Sequence, residues 1–230
     1  HMIYSRFWHH FLYDLGVVNT PEPYAKRSIQ GLILGPDGEK MSKSRGNVVD
    51  PNDVVDVYGA DVLRLYVLFM GDYEKAAPWS TSSIRGCKRF LDRIWALQDN
   101  LIDGDTYRES LVRKMHQTIQ KVSNDIETLK FNTAIAAMME LLNEITATGS
   151  INKAEFRTLL ILLNPFAPHI TEELYETYCG GILHEQSWPT YDEALCKEDT
   201  IEIVVQINGK VRCKMDIAVG AEKDAVLEQA

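Results

Sequence analysis

Apolar residues between positions 83 and 163 recur every three or four residues, and this spacing constrains the fold more than any other sequence feature. Side chains at that spacing lie on one side of an α-helix, so each helix must pack against another. The first two stripes contain Ile84, Cys87, Leu91, Ile94 and Trp95, then Leu111, Met115, Ile119, Val122, Ile126 and Leu129. The same spacing continues over 134–145 and 155–163, which predicts a helical bundle in the middle of the chain.

The beginning of the chain carries a bulky apolar stripe at helical spacing over residues 4–15. Gly16 is a natural left-handed cap and predicts the end of this first helix. The aromatic residues of positions 7–11 are expected to be buried in the core rather than to stack on nucleic-acid bases. Asp50-Pro51 predicts the start of another helix, because Asp is a good N-cap and Pro fits the first turn.

Near residue 200 the pattern changes to strict alternation, which predicts a β-hairpin. A two-residue Asn208-Gly209 loop would set the apolar face of one strand against the basic face of the other. A three-residue loop over 207–209 aligns the two apolar faces and is therefore predicted. The resulting pairs are Val205 with Val211 and Ile203 with Cys213. The opposite face of the hairpin then carries Lys210, Arg212 and Lys214 across from Glu202 and Gln206.

Residues 35–47 contain three glycines and almost no apolar residue, which predicts an exposed loop. Lys40 and Lys43 lie in it, three positions apart, beside the hydroxyls of Ser42 and Ser44. Such a loop can close over a polyphosphate, where ammonium groups stabilise oxygens that gain negative charge as pyrophosphate leaves. For a lysine pair alone, a solvated charged loop is the alternative interpretation.

The formal net charge of −9 argues at first against a nucleic-acid partner. Nine acidic residues and one basic residue lie within 172–202, however, so only −1 remains for the rest of the chain. One predicted helix carries four basic residues at offsets of three, four and eight from the first: Arg85, Lys88, Arg89 and Arg93. They form either an RNA phosphate contact or a solvated face. Together with the basic hairpin face, they segregate positive charge as a polyanion-binding surface requires, so the net charge does not exclude RNA.

No apolar run approaches the roughly 20 residues that a membrane helix requires, so no membrane partner is expected. The chain does not open on a basic segment followed by an apolar one, so the cytoplasm is the expected location. The cysteines lie far apart without a Cys-x-x-Cys pair, which predicts reduced thiols and no metal site. They are Cys87, Cys179, Cys196 and Cys213.

The string Lys40-Met41-Ser42-Lys43-Ser44 resembles the KMSKS signature loop of class I aminoacyl-tRNA synthetases. Five fixed residues arise by chance in a chain of this length only on the order of once in 10⁴. Segments that resemble the leucyl, isoleucyl and valyl subgroup are 47–51, 58–65 and 165–174. Segments that resemble leucyl-tRNA synthetases of the bacterial type are 4–9, 89–95 and 205–212.

This resemblance implies a C-terminal fragment of an enzyme that activates L-leucine with ATP and transfers it to tRNA(Leu), with Mg²⁺ accompanying the ATP. The implied fold is mainly α. Residues 1–34 would be the tail of a Rossmann-type catalytic domain, and 35–82 the KMSKS loop and stem-contact region. Residues 83–195 would be the helical-bundle anticodon-binding domain, which binds tRNA. Residues 196–230 would open a truncated C-terminal α/β domain.

The resemblance also implies roles for single residues. The whole string 40–44 would form the ATP-binding loop, in which Lys43 and Lys40 would be catalytic and Met41 would pack the loop. Ser42 and Ser44 would donate to phosphate or stabilise the loop turn. His1 matches a position near the bound amino acid or adenylate. The tRNA-binding candidates are the basic residues of the two surfaces described above: Arg85, Lys88, Arg89, Arg93, Lys210, Arg212 and Lys214.

The sequence contains neither the His-Ile-Gly-His signature of the family nor an editing domain. The chain alone is therefore predicted to be inactive in leucine activation and tRNA charging. Two alternatives remain: an isoleucyl or valyl enzyme, and a non-catalytic tRNA-binding module. The complete lysine motif favours an enzyme, because a module without ATP has no use for it. A monomer is expected, and DNA is not expected as a partner.

Overall fold

The structure is a computed structural model that describes residues 1–197 and the backbone of residues 200–207 and 210–218. Over this part the fold is mainly helical, as predicted. Its helices are α1 (Met2–Asp14), α2 (Pro51–Tyr58), α3 (Ala60–Phe69), α4 (Thr81–Ala96), α5 (Glu109–Glu127), α6 (Phe131–Ala147), α7 (Lys153–Leu163), α8 (Pro168–Tyr178) and α9 (Glu193–Cys196). Its strands are β1 (Ile33–Leu34), β2 (Ala77–Pro78), β3 (Leu101–Ile102), β4 (Ile151–Asn152), β5 (Thr200–Ile207) and β6 (Lys210–Ala218). No helix in these ranges is long and apolar enough to cross a bilayer.

Helix α1 ends two residues before Gly16, whose φ of +71° confirms the predicted left-handed turn. The expected burial of its aromatic stripe is wrong. Phe7, Trp8 and Phe11 are 69%, 48% and 47% exposed, and α1 contains no buried residue. Helical spacing identifies an apolar face but not the surface that covers it, and no described element of this chain buries this one.

The segment between α1 and α2 is anchored to the chain after α3. Strand β1 pairs in parallel with β2, Ile33 with Ala77 and Leu34 with Pro78. Gly31 makes this approach possible, because a Cβ there would lie 1.9 Å from the carbonyl oxygen of Lys75. Residues 35–47, which carry Lys40 and Lys43 and are called the lysine loop, therefore begin directly after a fixed strand. The chain then enters α2, whose N-cap Asp50 accepts a hydrogen bond from the Asn52 amide at 2.8 Å.

Helices α4 to α8 form the predicted bundle around one apolar core. Within α4, the buried residues are Ile84, Cys87, Phe90, Leu91 and Ile94. Within α5 the buried apolar residues are Leu111, Met115, Ile119 and Val122. The α5–α6 connection is short, and Leu129 adopts a left-handed φ of +60° there, so it ends the α5 stripe instead of extending it.

Polar contacts that the periodicity did not predict fix the helix ends. The Glu155 carboxylate is fully buried and accepts hydrogen bonds from the Arg108 amide (2.9 Å), Nε (2.9 Å) and Nη2 (2.7 Å). Glu155 and Asn152 also form a reciprocal capping box at the start of α7. At α8 the cap is Asp61 of α3, which accepts hydrogen bonds from the amides of His169 (3.3 Å) and Ile170 (2.7 Å).

The hairpin forms, but its predicted register is wrong. Ile207 pairs with Lys210 and Gln206 with Val211, and the register then shifts between Val205 and Gln206. The remaining pairs include Val205 with Cys213, Ile203 with Met215, Val204 with Lys214 and Glu202 with Asp216. The shift places one extra residue on β6 as a bulge. From Val205 to Ile201 the apolar positions of the two strands are then aligned, which is the alignment that the three-residue loop was expected to give. The turn residues Asn208 and Gly209 lie outside the described residues.

Candidate functional site

The lysine loop spans residues 35–47, and its first half is a tight backbone turn. The Gly35 amide donates to the Glu39 carbonyl at 2.8 Å, and the Gly38 amide donates to the Gly35 carbonyl at 2.9 Å. Gly38 has a φ of +77°, which a residue with a side chain rarely adopts. An isolated antiparallel bridge joins Leu34 and Lys40. Lys40 is thereby placed beside the end of β1.

The second half contains one turn of 3₁₀ helix, Lys43–Arg45, which ends at Gly46 with a φ of +68°. The hydroxyls of Ser42 and Ser44 lie 2.8 Å apart and share a hydrogen bond. This hydrogen bond links the two serines across the turn. Met41 is partly buried and packs against the apolar core.

Asn47 joins the two halves of the loop through its side-chain amide. Its Nδ2 donates to the Asp37 carboxylate (3.1 Å to Oδ1, 3.0 Å to Oδ2) and lies 3.4 Å from the Lys40 carbonyl oxygen. Its Oδ1 accepts from the Ser42 amide at 2.9 Å. The hydrogen bond from Asn47, with a second from the Glu39 amide, holds the pKa of Asp37 below its usual value. Sequence reasoning did not single out Asp37 or Asn47, although both are typical turn residues.

Lys40 and Lys43 project from this framework as exposed side chains. Within the described residues, neither ammonium group has an ion-pair partner. The nearby carboxylate of Glu39 is engaged instead by Arg45, with 3.1 Å between Oε2 and Nη1. Two unpaired cations on an ordered loop can bind the oxygens of a polyphosphate and stabilise charge that develops on them.

The four basic residues of α4 divide into two pairs. Arg85 and Arg89 are exposed and make no ion pair or hydrogen bond with another described side chain. Lys88 forms an ion pair with Asp92 on the same helix. The Nη2 atom of Arg93 donates to Asn143 Oδ1 (2.9 Å) and Thr146 Oγ1 (3.2 Å) of α6. Arg85 and Arg89 are therefore the members available to an external phosphate.

The remaining candidates lie elsewhere. His1 is exposed at the N-cap of α1, where its carbonyl accepts from the Ser5 amide at 2.9 Å. On β6, Lys214 pairs with Val204, so the predicted arrangement of the basic face opposite Glu202 is wrong. Lys210 and Arg212 lie on the same strand, on the hairpin-turn side of Lys214. In the described part of the chain, no group of three or more His, Cys, Asp or Glu residues could bind a metal ion.

Comparison with known proteins places both parts of the chain. A family model described as the anticodon-binding domain of tRNA ligase matches residues 109–227. A second, described as tRNA synthetases class I (I, L, M and V), matches residues 4–80. Leucine–tRNA ligases of Alkaliphilus oremlandii and Chloroherpeton thalassium are 54% and 47% identical over 100% of the chain. The chain spans 29% and 30% of the length of these two relatives.

Solved structures of tRNA synthetases also match the chain. The ternary complex of Agrobacterium radiobacter LeuRS with tRNA and LeuAMS matches with a TM-score of 0.77 and 35% identity, covering 100% of this chain and 32% of that one. Mycobacterium tuberculosis methionyl-tRNA synthetase shares the fold over 74% of this chain and 40% of its own, with a TM-score of 0.50 and 19% identity. The chain therefore belongs to the family of the anticodon-binding domain of tRNA ligase, whose model matches more than half of its length.

Proposed function

We propose that the chain is the lysine-loop and tRNA-binding part of a longer leucine–tRNA ligase. That enzyme activates L-leucine with ATP to leucyl-adenylate and pyrophosphate, and then transfers leucine to tRNA(Leu). Identity of 54% across all 230 residues to a protein named leucine–tRNA ligase supports this specificity. The likeness to the LeuRS–tRNA–LeuAMS complex supports it further. Neither an isoleucine or valine enzyme nor a non-catalytic module is favoured.

The observation that carries the proposal is the pair of unpaired lysines on an ordered loop. Lys43 and Lys40 would contact the phosphates of ATP and stabilise the negative charge that collects on pyrophosphate as it leaves. Ser42 and Ser44 would stabilise the turn that presents Lys43, and Met41 would fix the loop to the core. Mg²⁺ would arrive bound to ATP.

Substitution of Lys43 in the full-length ligase tests this role. With Lys43→Ala, we expect leucine-dependent pyrophosphate exchange to fall about 10²- to 10³-fold, the usual effect of removing one group that stabilises developing charge. Lys75→Ala is the matched control, because Lys75 is 78% exposed and pairs with Asp72 outside the loop. Equal exchange rates in the two variants would contradict the proposed role.

The rest of the chain would serve tRNA. Residues 1–34 would be the tail of the catalytic domain, and 35–82 the stem-contact region. Residues 83–195 would be the tRNA-binding bundle, and 196–230 the start of a C-terminal domain. Arg85 and Arg89 would contact tRNA phosphates, with Lys210, Arg212 and Lys214 as further candidates and His1 near the aminoacyl group. The enzyme would act as a cytoplasmic monomer. The 230-residue chain alone would be inactive, because it holds no His-Ile-Gly-His sequence.

A further inference from the structure

We propose that Asp37 and Asn47 form a positioning pair that pre-shapes the lysine loop for ATP, and that position 47 requires an amide for this purpose. The inference rests on the proposed function, since it concerns how the loop presents Lys40 and Lys43. Neither residue touches ATP in this account. Their effect on leucine activation is transmitted through the loop backbone.

The Asn47 side chain closes the loop at three points. It contacts the Asp37 carboxylate before the lysines, the Lys40 carbonyl at the first lysine, and the Ser42 amide between the two lysines. Asp37 and Asn47 are ten positions apart in the sequence, and both lysines lie between them. A loop fixed in this way loses less conformational freedom when it binds a ligand than a free chain would.

Gly35 provides an independent sign that the sequence is adapted to this contact. A Cβ at position 35 would lie 2.6 Å from Asp37 Oδ1 and 2.8 Å from Asn47 Nδ2. Any residue with a side chain would therefore push the two groups apart. Gly35 is also buried and begins the loop turn, so the space for the Asp37–Asn47 pair is part of the loop's own framework.

The chemistry of the contact explains why an amide is required. Position 47 must donate to a carboxylate and at the same time accept from a backbone amide, and the amide side chain of Asn does both when Asp37 is ionised. A carboxylate at 47 could accept from Ser42 but would repel Asp37. An alanine could do neither. The other charged groups beside the pair are Glu39 and Arg45, which neutralise each other.

The test uses the full-length ligase and a reciprocal exchange. We expect Asn47→Ala and Asn47→Asp each to lower kcat for leucine-dependent pyrophosphate exchange about tenfold to hundredfold at neutral pH. In Asp37→Asn/Asn47→Asp, the amide at 37 donates to the carboxylate at 47, which still accepts from Ser42, and only the long 3.4 Å contact with the Lys40 carbonyl is lost. This double variant should recover to within about threefold of the parent. A double variant as slow as the single ones would overturn the inference.

A pH profile gives a second readout that general damage to the fold would not produce. In Asn47→Asp, two carboxylates face each other, so one of them takes up a proton as the pH falls and then donates to the other. Its rate relative to the parent should rise at lower pH, whereas the relative rate of Asn47→Ala should stay flat. Parallel profiles for the two variants would contradict the positioning role.

Lys43→Ala separates this inference from the function on which it rests. If Lys43→Ala is slow and the Asn47 variants match the parent, the positioning role fails while the proposed function stands. If Lys43→Ala also matches the parent, the proposed function fails too. Amide exchange at Ser42 in the 230-residue chain reports the contact without any activity, and it should be faster in Asn47→Ala. Unchanged exchange there would show that the contact does not form.

Discussion

In residues 35–47 only Gly35 is buried, whereas eight of the eleven residues of α7 are buried. The lysine loop owes its shape to hydrogen bonds between polar side chains and the backbone. The bundle owes its shape to apolar side chains removed from water, with a few buried polar contacts at helix ends. We therefore expect that the loop can be altered without unfolding the chain, and that the bundle can be weakened without changing the chemistry of the loop.

The largest effect on stability is expected in the bundle core. Phe156 is fully buried, and its ring meets that of Tyr178 edge to face at 6.3 Å between centroids. Phe156→Ala should lower the free energy of unfolding of the 230-residue chain by about 3–5 kcal/mol, measured by denaturant titration. Trp95→Ala, at a site that is 44% exposed, should cost about 1 kcal/mol or less. Similar losses of stability in both variants would contradict the conclusion that buried apolar side chains stabilise the bundle.

The next effect concerns the buried carboxylate of Glu155. Burial raises its pKa, but the hydrogen bonds from Arg108 and Asn152 outweigh burial and hold the pKa below the usual 4.5. Glu155→Gln should cost about 2–3 kcal/mol at pH 7. Because the folded pKa is lowered, the ionised carboxylate contributes its full stabilisation at pH values above 4.5. The advantage of the parent should shrink as the pH falls below 4.5 and be lost as the pH passes through the lower, folded pKa.

Glu140→Gln is the control for that experiment. Glu140 is 67% exposed and pairs with Lys114 at 3.2 Å, so its loss should change stability by about 0.5 kcal/mol or less. If Glu155→Gln were equally mild, or if its deficit persisted unchanged at pH 3, the buried ion pair would have no special role.

The smallest effect is expected on the outer surface of α4 and concerns tRNA rather than stability. With Arg89→Glu in the full-length ligase, the slope of log affinity for tRNA(Leu) against log salt should become shallower by about 1. Filter binding at several salt concentrations measures this slope. Lys26→Glu, an exposed charge reversal in the segment after α1, should leave it unchanged. Equal slopes for the two variants would remove Arg89 from the tRNA surface.

The bundle could be predicted because burial there follows a local period. Residues such as Ile84, Cys87 and Leu91 recur on one face of α4, and that face had to find a partner. The same reasoning failed for Trp8 and Phe11, because periodicity does not reveal which surface covers a face. Alternation also predicted the wrong hairpin register, because it does not distinguish a three-residue loop from a two-residue loop followed by a bulge after Val205.

The residue types of the candidate site could be predicted from the sequence, but the contacts that shape the loop could not. Glycines and charges predicted an exposed loop, and the string at 40–44 identified its lysines. The contact between Asp37 and Asn47 joins two polar residues ten positions apart, and no period marks such a pair. Arg108 and Glu155, 47 residues apart, illustrate the same limit in the bundle. Polar contacts between distant residues depend on the folded backbone, which a single sequence does not supply.

The lysine loop is proposed to contact ATP, and the bundle is not. Hydrogen exchange of the full-length ligase, measured by mass spectrometry with and without ATP, tests it directly. ATP should slow exchange in residues 40–47 and leave residues 109–127 unchanged, and Lys43→Ala should weaken the slowing in the loop. Loop exchange that ATP does not alter, at a concentration that saturates pyrophosphate exchange, would contradict the account.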